Sequence, residues 1–490
     1  MLPTPLSASL FTVNRLANRS ARDRALLALL LLWPAACTVG PDYKSPQIDT
    51  PQAFTESGGG VSSRPAEEGA WWQHFKDPVL SSLVERAAQN NLDVALAEAR
   101  LREARAARRG TASELEPKID AAGSYARRRI ASNTIGGNFG SGSFQIPSTQ
   151  VDLYQVGFDA SWELDLWGRV RRQVEAAEAD IEAFSEAKRE AVVALVGEVA
   201  RNYVELRGAQ RQRGITQENL RTQEQTLELV RAKHRAGLVS EIDVARALAL
   251  VASTRAQLPS IETQEHNSIH RLGVLLGQAP GALMQELSQP APIPVAPAEI
   301  ATGLPGDLLR RRPDLRRAER ELCAANARIG AAIADRYPRF SILGNLRFGS
   351  TETNNLFENN SLGWSIGPSV TWPLFDGGRI EANIEVQSAR EEQALIRLRQ
   401  AFLNALVETE DNVVIYGREQ TRRQSLEEAV SANSRAVELA NQLYTQGLTD
   451  YLAVLEAQRS LLAAQADLAR SDTSVSLGAV ALYKSLGGGW

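Results

Sequence analysis

His266 and His270 stand four residues apart in "ETQEHNSIH", with Glu262 and Glu265 beside them. On a helix this spacing brings two imidazoles to one side, the beginning of a zinc site. A clear third ligand is missing, so the pair reads as exposed helix histidines and no metal is expected. Cys323, in "RELCAANARIG", reads as a small apolar helix residue, the usual behaviour of a free thiol. No nucleophile elbow, P-loop or glycine-rich dinucleotide turn falls between a strand and a helix, so neither enzyme chemistry nor a cofactor is expected.

The residue with a defined chemical fate is Cys37. Arg15, Arg19, Arg22 and Arg24 precede the apolar run "ALLALLLLWPAAC", which ends on it. Crossing a bilayer as a helix takes about 20 apolar residues, more than this run supplies. A charged start, a short apolar core and small residues at its end mark a secretory signal. Cleavage after Ala35-Ala36 makes Cys37 the first residue, with a thiol free to carry a lipid anchor; Pro34 stands where such signals usually hold Leu. Thr38 follows, and the resemblance to bacterial lipoproteins implies that without Asp there the protein is sorted to the outer membrane. With Cys37 lipidated, Cys323 has no partner and no disulfide framework forms.

Composition supports export and long helices. The 490 residues carry 54 basic and 58 acidic side chains, close to balance, which gives no footprint for nucleic acid. Aromatics make up 6 %, and Ala, Leu, Arg, Glu and Gln dominate long tracts.

The second half echoes the first. "NNLDVALAEARL" at 90–101 matches "RRPDLRRAEREL" at 311–322, and Pro117 and Gly123 match Pro338 and Gly344, all at an offset of 221. After Gly157 and Gly367 the offset is 210, pairing Trp162 with Trp372, Gly168 with Gly378, and Gly237-Leu238 with Gly447-Leu448. The extra length in the first copy falls in "RRRIASNTIGGNFGSGSFQIPSTQ", rich in Gly, Ser, Asn and Thr, which reads as an exposed loop. A period this long is no solenoid; it is a duplicated domain-sized unit.

Each copy holds segments that alternate strictly. Tyr154, Val156, Phe158, Ala160, Trp162 and Leu164 share one face, against Gln155, Gly157, Asp159, Ser161 and Glu163. Leu362, Trp364, Ile366, Val370, Trp372 and Leu374 repeat the split in the second copy. Partner strands precede them, with Phe340, Ile342, Leu346 and Phe348 alternating clearly and Ile119, Ala121 and Tyr125 more weakly. Period two with one apolar face marks a half-buried strand, and about 10 residues suit a tilted membrane strand. Four strands cannot close a barrel, so several chains must pool theirs; two chains give eight strands and three give twelve.

Between the strand pairs lie proline-free stretches from Gly168 to Ala236 and from Gly378 to Gln446. As helices each is on the order of 100 Å long, with a narrow apolar stripe that favours coiled-coil packing. Each ends in a similar turn, "RAGLVSEIDV" and "TQGLTDYLAV". Gly237 and Gly447 suit the left-handed position that closes a helix, and Ser240 with Asp243 can cap the next one. A turn needs the glycine but not the leucine after it, so Leu238 and Leu448 mark a contact surface.

Taken together, "CTVGPDYKSP", "WWQHFKDPVLSSLVERAAQNNLDV", "SWELDLWGRV", "RRPDLRRAERELCAANARIGAAIADRYPRFSI", "TWPLFDGGRI" and "QGLTDYLAVLEAQRSLLAAQADL" resemble TolC-type outer membrane channels, in the NodT and OprM lipoprotein branch. The resemblance implies a mixed α and β membrane protein: four transmembrane strands per chain, a homotrimeric twelve-stranded β-barrel, and coiled-coil hairpins forming a periplasmic helical barrel. It divides the chain into a signal peptide at 1–36, a lipidated extended segment at 37–74, and two repeats. The first repeat, 75–303, holds a helix, strands at about 117–130 and 151–165, a helical hairpin at about 168–277 and a linker. The second, 304–490, holds a helix, strands at about 338–350 and 362–375, and a hairpin at about 378–485.

The same resemblance implies a passive conduit that docks with a periplasmic adaptor and an inner-membrane pump of the resistance-nodulation-division type to expel toxic small molecules. Cys37 is then the anchor in outer membrane lipid, and Gly237, Leu238, Gly447 and Leu448 are the adaptor-docking tips. Asp243, Tyr444, Asp450 and Glu456 are candidates for a periplasmic gate, with Thr449 standing where the TolC latch has an arginine. Trp162, Trp167 and Trp372 fall where aromatics favour a membrane boundary. Two other functions fit parts of the pattern: the outer component of type I protein secretion, and a periplasmic scaffold that does not conduct.

Overall fold

The computed structural model describes residues 38–56, 60–65, 69–130 and 149–489; Cys37 lies outside them. In chain order the main elements are α1 (Pro78–Asn90), α2 (Leu92–Ala112), β1 (Lys118–Ile130), β2 (Thr149–Leu164), α3 (Arg169–Arg235), α4 (Glu241–Arg255), α5 (Leu258–Leu275), α6 (Pro313–Ala334), β3 (Arg339–Ser350), β4 (Leu362–Thr371), α7 (Arg379–Thr445) and α8 (Tyr451–Ser485). Among the described residues no helix is long and apolar enough to cross a membrane.

The chain forms two compact units. One comprises 109–176 and 326–388 with the segment up to Asp42; the other comprises 43–108, 177–325 and 389–490. Each unit draws on both sequence copies, so the repeats at 75–303 and 304–490 are not units of packing. The reason lies in the pairing. Strands from both copies complete one sheet, and helices from both copies share one core.

The sheet is antiparallel in the order β1-β2-β3-β4. Its register preserves the duplication: Ile119 faces Ala160 and Phe340 faces Val370, so the offsets of 221 and 210 are also offsets in space. Three expected boundaries change. Arg127 to Ile130 and Thr149 to Gln150 pair within β1 and β2, although their composition reads as loop, because long ladder partners outweigh local propensity. β4 stops at Thr371, short of 375, since Pro373 has no N–H to give a ladder. The return leg of the first hairpin is two helices, broken between Arg255 and Leu258 with Pro259 in the first turn of α5, whereas α8 runs unbroken for 35 residues without a proline.

The helical unit is held by a core of Trp71, Leu80, Leu83, Tyr203, Leu272, Phe402, Tyr416 and Leu482, all close to fully buried. Asp77 caps α1 by accepting from the Val79 and Leu80 N–H groups at 2.8 and 2.9 Å. Its second oxygen accepts from the Tyr203 hydroxyl at 2.9 Å, tying α1 to α3. Trp71 stacks on Tyr483 of α8 at 5.2 Å, and the Tyr416 hydroxyl donates to the Pro297 carbonyl. These contacts give buried phenols the partners they need and bring both hairpins onto one core.

Burial pushes the Tyr203 and Tyr416 phenols up from 10.0 to about 12. A folded-state value above the unfolded one gives stability that is complete below pH 10 and lost as the pH rises through about 12. Helix content followed by circular dichroism should therefore hold to about pH 10 and fall between 10 and 12. Tyr416→Phe, which cannot ionise, should shallow that fall; an unchanged slope would remove the phenol as its cause.

Candidate functional site

No metal or catalytic centre forms around the histidine pair. His266 Nδ1 lies 2.7 Å from the Glu262 carbonyl and its ring stands edge-on to His270, while Glu265 is buried against Arg213 at 2.9 Å. Among the described residues no group of three His, Cys, Asp or Glu could hold a metal ion. Cys323 is half-buried in α6. The informative surfaces are the sheet, the joins between strand and helix, and the hairpin tips.

The sheet has one apolar and one polar face. Pairing aligns Tyr154, Val156, Phe158, Trp162 and Leu164 with Phe348, Leu346, Ile342 and Phe340, and these with Leu362, Trp364, Ile366 and Val370. Trp364, Ile366 and Ile119 are 72 %, 70 % and 68 % exposed, so a broad apolar surface faces outward from the chain. From Tyr154 to Leu164 the strand rises roughly 33 Å, or about 25 Å when tilted by about 40°. The opposite face carries the bidentate Asp159–Arg347 pair at 2.6 and 2.7 Å and the Asn345–Ser365 hydrogen bond at 2.8 Å. Leu343 departs from the pattern and lies on this polar face, opposite Ser161.

At the joins the duplication is chemical as well as topological. Trp162 Nε1 donates to the Leu115 carbonyl at 2.8 Å, and Trp372 Nε1 donates to the Arg336 carbonyl at 3.0 Å, the same bond in each copy. Trp167 donates to the Pro338 carbonyl at 2.9 Å and stacks on Tyr337 at 4.7 Å, which ties the first copy to the start of β3. Asp165 accepts from the Arg171 N–H and Asp376 from the Ile380 N–H, both at 2.9 Å, placing a carboxylate at the positive end of α3 and of α7. The segment after Cys37 also reaches this join. Buried Arg172 donates to the Val39 carbonyl at 3.2 Å and to Asp42 at 2.7 Å, and the Val39 N–H donates to the Trp167 carbonyl at 3.1 Å.

Each hairpin tip closes with the same motif. The Leu238 N–H donates to the Lys233 carbonyl and the Leu448 N–H to the Leu443 carbonyl, both at 2.9 Å, spanning Gly237 at φ +74° and Gly447 at φ +77°. These are Schellman closures that need a left-handed residue. Leu238 and Leu448 project from them, 72 % and 70 % exposed. Ser240 N–H and Oγ donate to Asp243 at 3.2 and 3.0 Å, and Asp450 accepts from the Ala453 N–H at 3.2 Å, so both aspartates cap the returning helices.

Of the four gate candidates, the fold joins two. Tyr444 is 3 % exposed in a cluster with Val230, Leu250, Tyr451 and Val454. Burial, then the Asp243 charge, pushes its phenol up, and its hydroxyl has no hydrogen-bond partner. Asp450 and Glu456 lie exposed on the second tip. Sequence reasoning missed Lys233: its Nζ donates to the Tyr444 carbonyl at 2.6 Å and sits 4.0 Å from the centre of the Tyr444 ring. The clue was a lysine in the last turn of a helix, where a cation meets the negative helix end. Its actual acceptor belongs to the other hairpin and is 211 residues away.

The matches to known proteins cover nearly the whole chain. A family profile described as "Outer membrane efflux protein" matches residues 83–278 and 304–488. Nodulation protein T of Rhizobium leguminosarum bv. trifolii is 32 % identical over 437 residues, covering 89 % of this chain and 91 % of that protein. The toluene efflux pump outer membrane protein TtgI of Pseudomonas putida is 32 % identical, covering 95 % and 97 %. The solved structure of the outer-membrane channel OprN superposes with a TM-score of 0.85 at 36 % identity, covering 93 % of this chain and all of that one.

A side chain at either tip glycine must adopt the left-handed conformation, at a cost of about 1–2 kcal/mol. Gly447→Val should therefore open the closing turn, raising hydrogen exchange at the Leu448 amide about tenfold or more while the core amides around Phe402 keep their protection. Unaltered exchange at Leu448 would show that the turn does not depend on the glycine.

Proposed function

The chain belongs to the outer membrane efflux protein family, and from that premise we propose that its working form is a homotrimeric conduit at the outer membrane, docked to a periplasmic adaptor and an inner-membrane pump. The observation that carries this reading is the continuous apolar face of the four strands, exposed on one side and backed by a polar face on the other. Water on one side and hydrocarbon on the other is the environment that such a face matches. Three copies supply twelve strands, each β1 edge pairing with the β4 edge of a neighbour. The Asp159–Arg347 and Asn345–Ser365 face then lines the water path.

The remaining parts follow from the same reading. Trp162 and Trp372, fixed by matching hydrogen bonds, mark the periplasmic boundary of the membrane. Lipidated Cys37 anchors the chain beside that boundary, since Thr38 to Asp42 pack at the strand–helix join. Leu238 and Leu448 are the apolar knobs on which an adaptor docks. Lys233 holds the two hairpins together next to Tyr444 and so keeps the tip narrow, while Asp243, Asp450 and Glu456 give the opening its negative charge. Energy for transport comes from the pump, and this chain supplies the path.

Planar-bilayer recording of the purified trimer tests the conduit and the clamp together. Wild-type protein should conduct poorly through a closed tip, and Lys233→Ala should raise the mean conductance several-fold, as should Tyr444→Ala. No current in any variant would sink the conduit and favour a scaffold. Full wild-type conductance unaltered by Lys233→Ala would leave the conduit standing and remove the clamp.

A further inference from the structure

The first strand changes character at its far end. Alternation along β1 places Ile119, Ala121, Gly123, Tyr125, Arg127 and Arg129 on one face, shared with Phe158 and Trp364. That face is apolar or small up to Tyr125 and then carries two exposed guanidinium groups. The rings of Tyr125 and Tyr154 stand 5.0 Å apart just below them, at the end of the strands opposite Trp162. Asp152 lies across from Arg127, accepts from the Tyr125 hydroxyl at 2.8 Å and approaches Arg127 Nε at 3.7 Å. Two cations and one carboxylate leave this corner with a surplus positive charge.

The duplication shows that the fold does not require this charge. By the offsets of 221 and 210, Arg127 and Asp152 correspond to Phe348 and Leu362, which face each other in the same register. Phe348 there meets Phe357 edge-on at 5.7 Å, an ordinary aromatic contact for the end of a membrane strand. Arg129 corresponds to Ser350. The arginines are therefore an addition to one hairpin of the pair, on the lipid side and at headgroup level, where a guanidinium costs little.

We propose that Arg127 and Arg129, above the Tyr125–Tyr154 ring pair, bind a phosphate-bearing lipid headgroup of the outer leaflet, one site per chain. A planar guanidinium matches phosphate oxygens with paired N–H groups, and two of them on one face grip a single phosphorylated headgroup while its acyl chains lie on the apolar band below. Asp152 steadies the site from the neighbouring strand through Tyr125 and Arg127. Arg128, between the two, points to the opposite, water-lined face and takes no part. The proposal rests on the sheet being a membrane wall.

Native mass spectrometry of the full trimer in a neutral detergent, with diphosphorylated lipid A as the probe, tests it. The expected result is one tightly held lipid per chain, with affinity weakened about tenfold or more in the Arg127→Gln/Arg129→Gln double variant and unaltered in Arg128→Gln. Arg127→Lys, which keeps the charge and loses the fork, should fall between them and serves if the double variant does not assemble. Dephosphorylated lipid A should bind weakly, and inorganic phosphate should not displace the lipid. Equal binding by wild type and double variant, an equal loss in Arg128→Gln, equal binding of the dephosphorylated lipid, or displacement by inorganic phosphate would each overturn the site. A trimer that conducts in a bilayer yet shows no preference among lipids removes this site alone. A chain that never enters a bilayer removes the membrane wall and the site with it.

Discussion

A backbone N–H or C=O left unpaired in hydrocarbon costs several kcal/mol, and the outer edges of β1 and β4 each present a row of them. The rest of the molecule can be understood from that constraint. A four-stranded sheet with an exposed apolar face is unstable in water because of the face and unstable in lipid because of the edges. Pairing edge to edge with further copies resolves both at once. The strand length, the alternation of its two faces and the aromatic ends only make sense once the edges are sealed.

Duplication supplies the geometry for that closure. The two hairpins are joined by the β2–β3 pairing with the same register inside each, so every chain presents two equivalent strand pairs and two equivalent exits. The exits are fixed by matching bonds: Trp162 on Leu115, Trp372 on Arg336, and aspartates at the first turns of α3 and α7. A tryptophan N–H satisfied by the carbonyl that ends the preceding helix fixes the angle at which strand gives way to helix. Where the copies differ, the difference is local. Arg127 replaces an aromatic, Pro259 splits one return helix, and Lys233 has Leu443 as its counterpart.

The tip combines rigidity with a weak polar point. Two Schellman turns and two aspartate caps satisfy the backbone at each hairpin end, leaving the leucines free to project. Just inside, Tyr444 is buried with its hydroxyl unsatisfied while its carbonyl and ring are held by Lys233. A buried polar atom without a partner favours any rearrangement that gives it one, which makes this the natural place for the hairpins to part.

Features governed by neighbours along the chain were legible in the residue order. Period two predicted the strands and their faces, glycine followed by leucine predicted both tips, and the 221 and 210 offsets anticipated the register of the sheet. These follow from local sterics and from which side of an element is apolar, and both are written in spacing. Features that depend on distant partners were not. Nothing near Lys233 announces that its acceptor is Tyr444, nothing near Arg172 that it grips Val39 and Asp42, and the loop-like composition around Arg127 hid four paired strand residues. Leu343 on the polar face and the sharing of both compact units between the two copies belong to the same class. Such contacts are chosen by packing among segments hundreds of residues apart, and their energies depend on a geometry that exists only after the chain has folded.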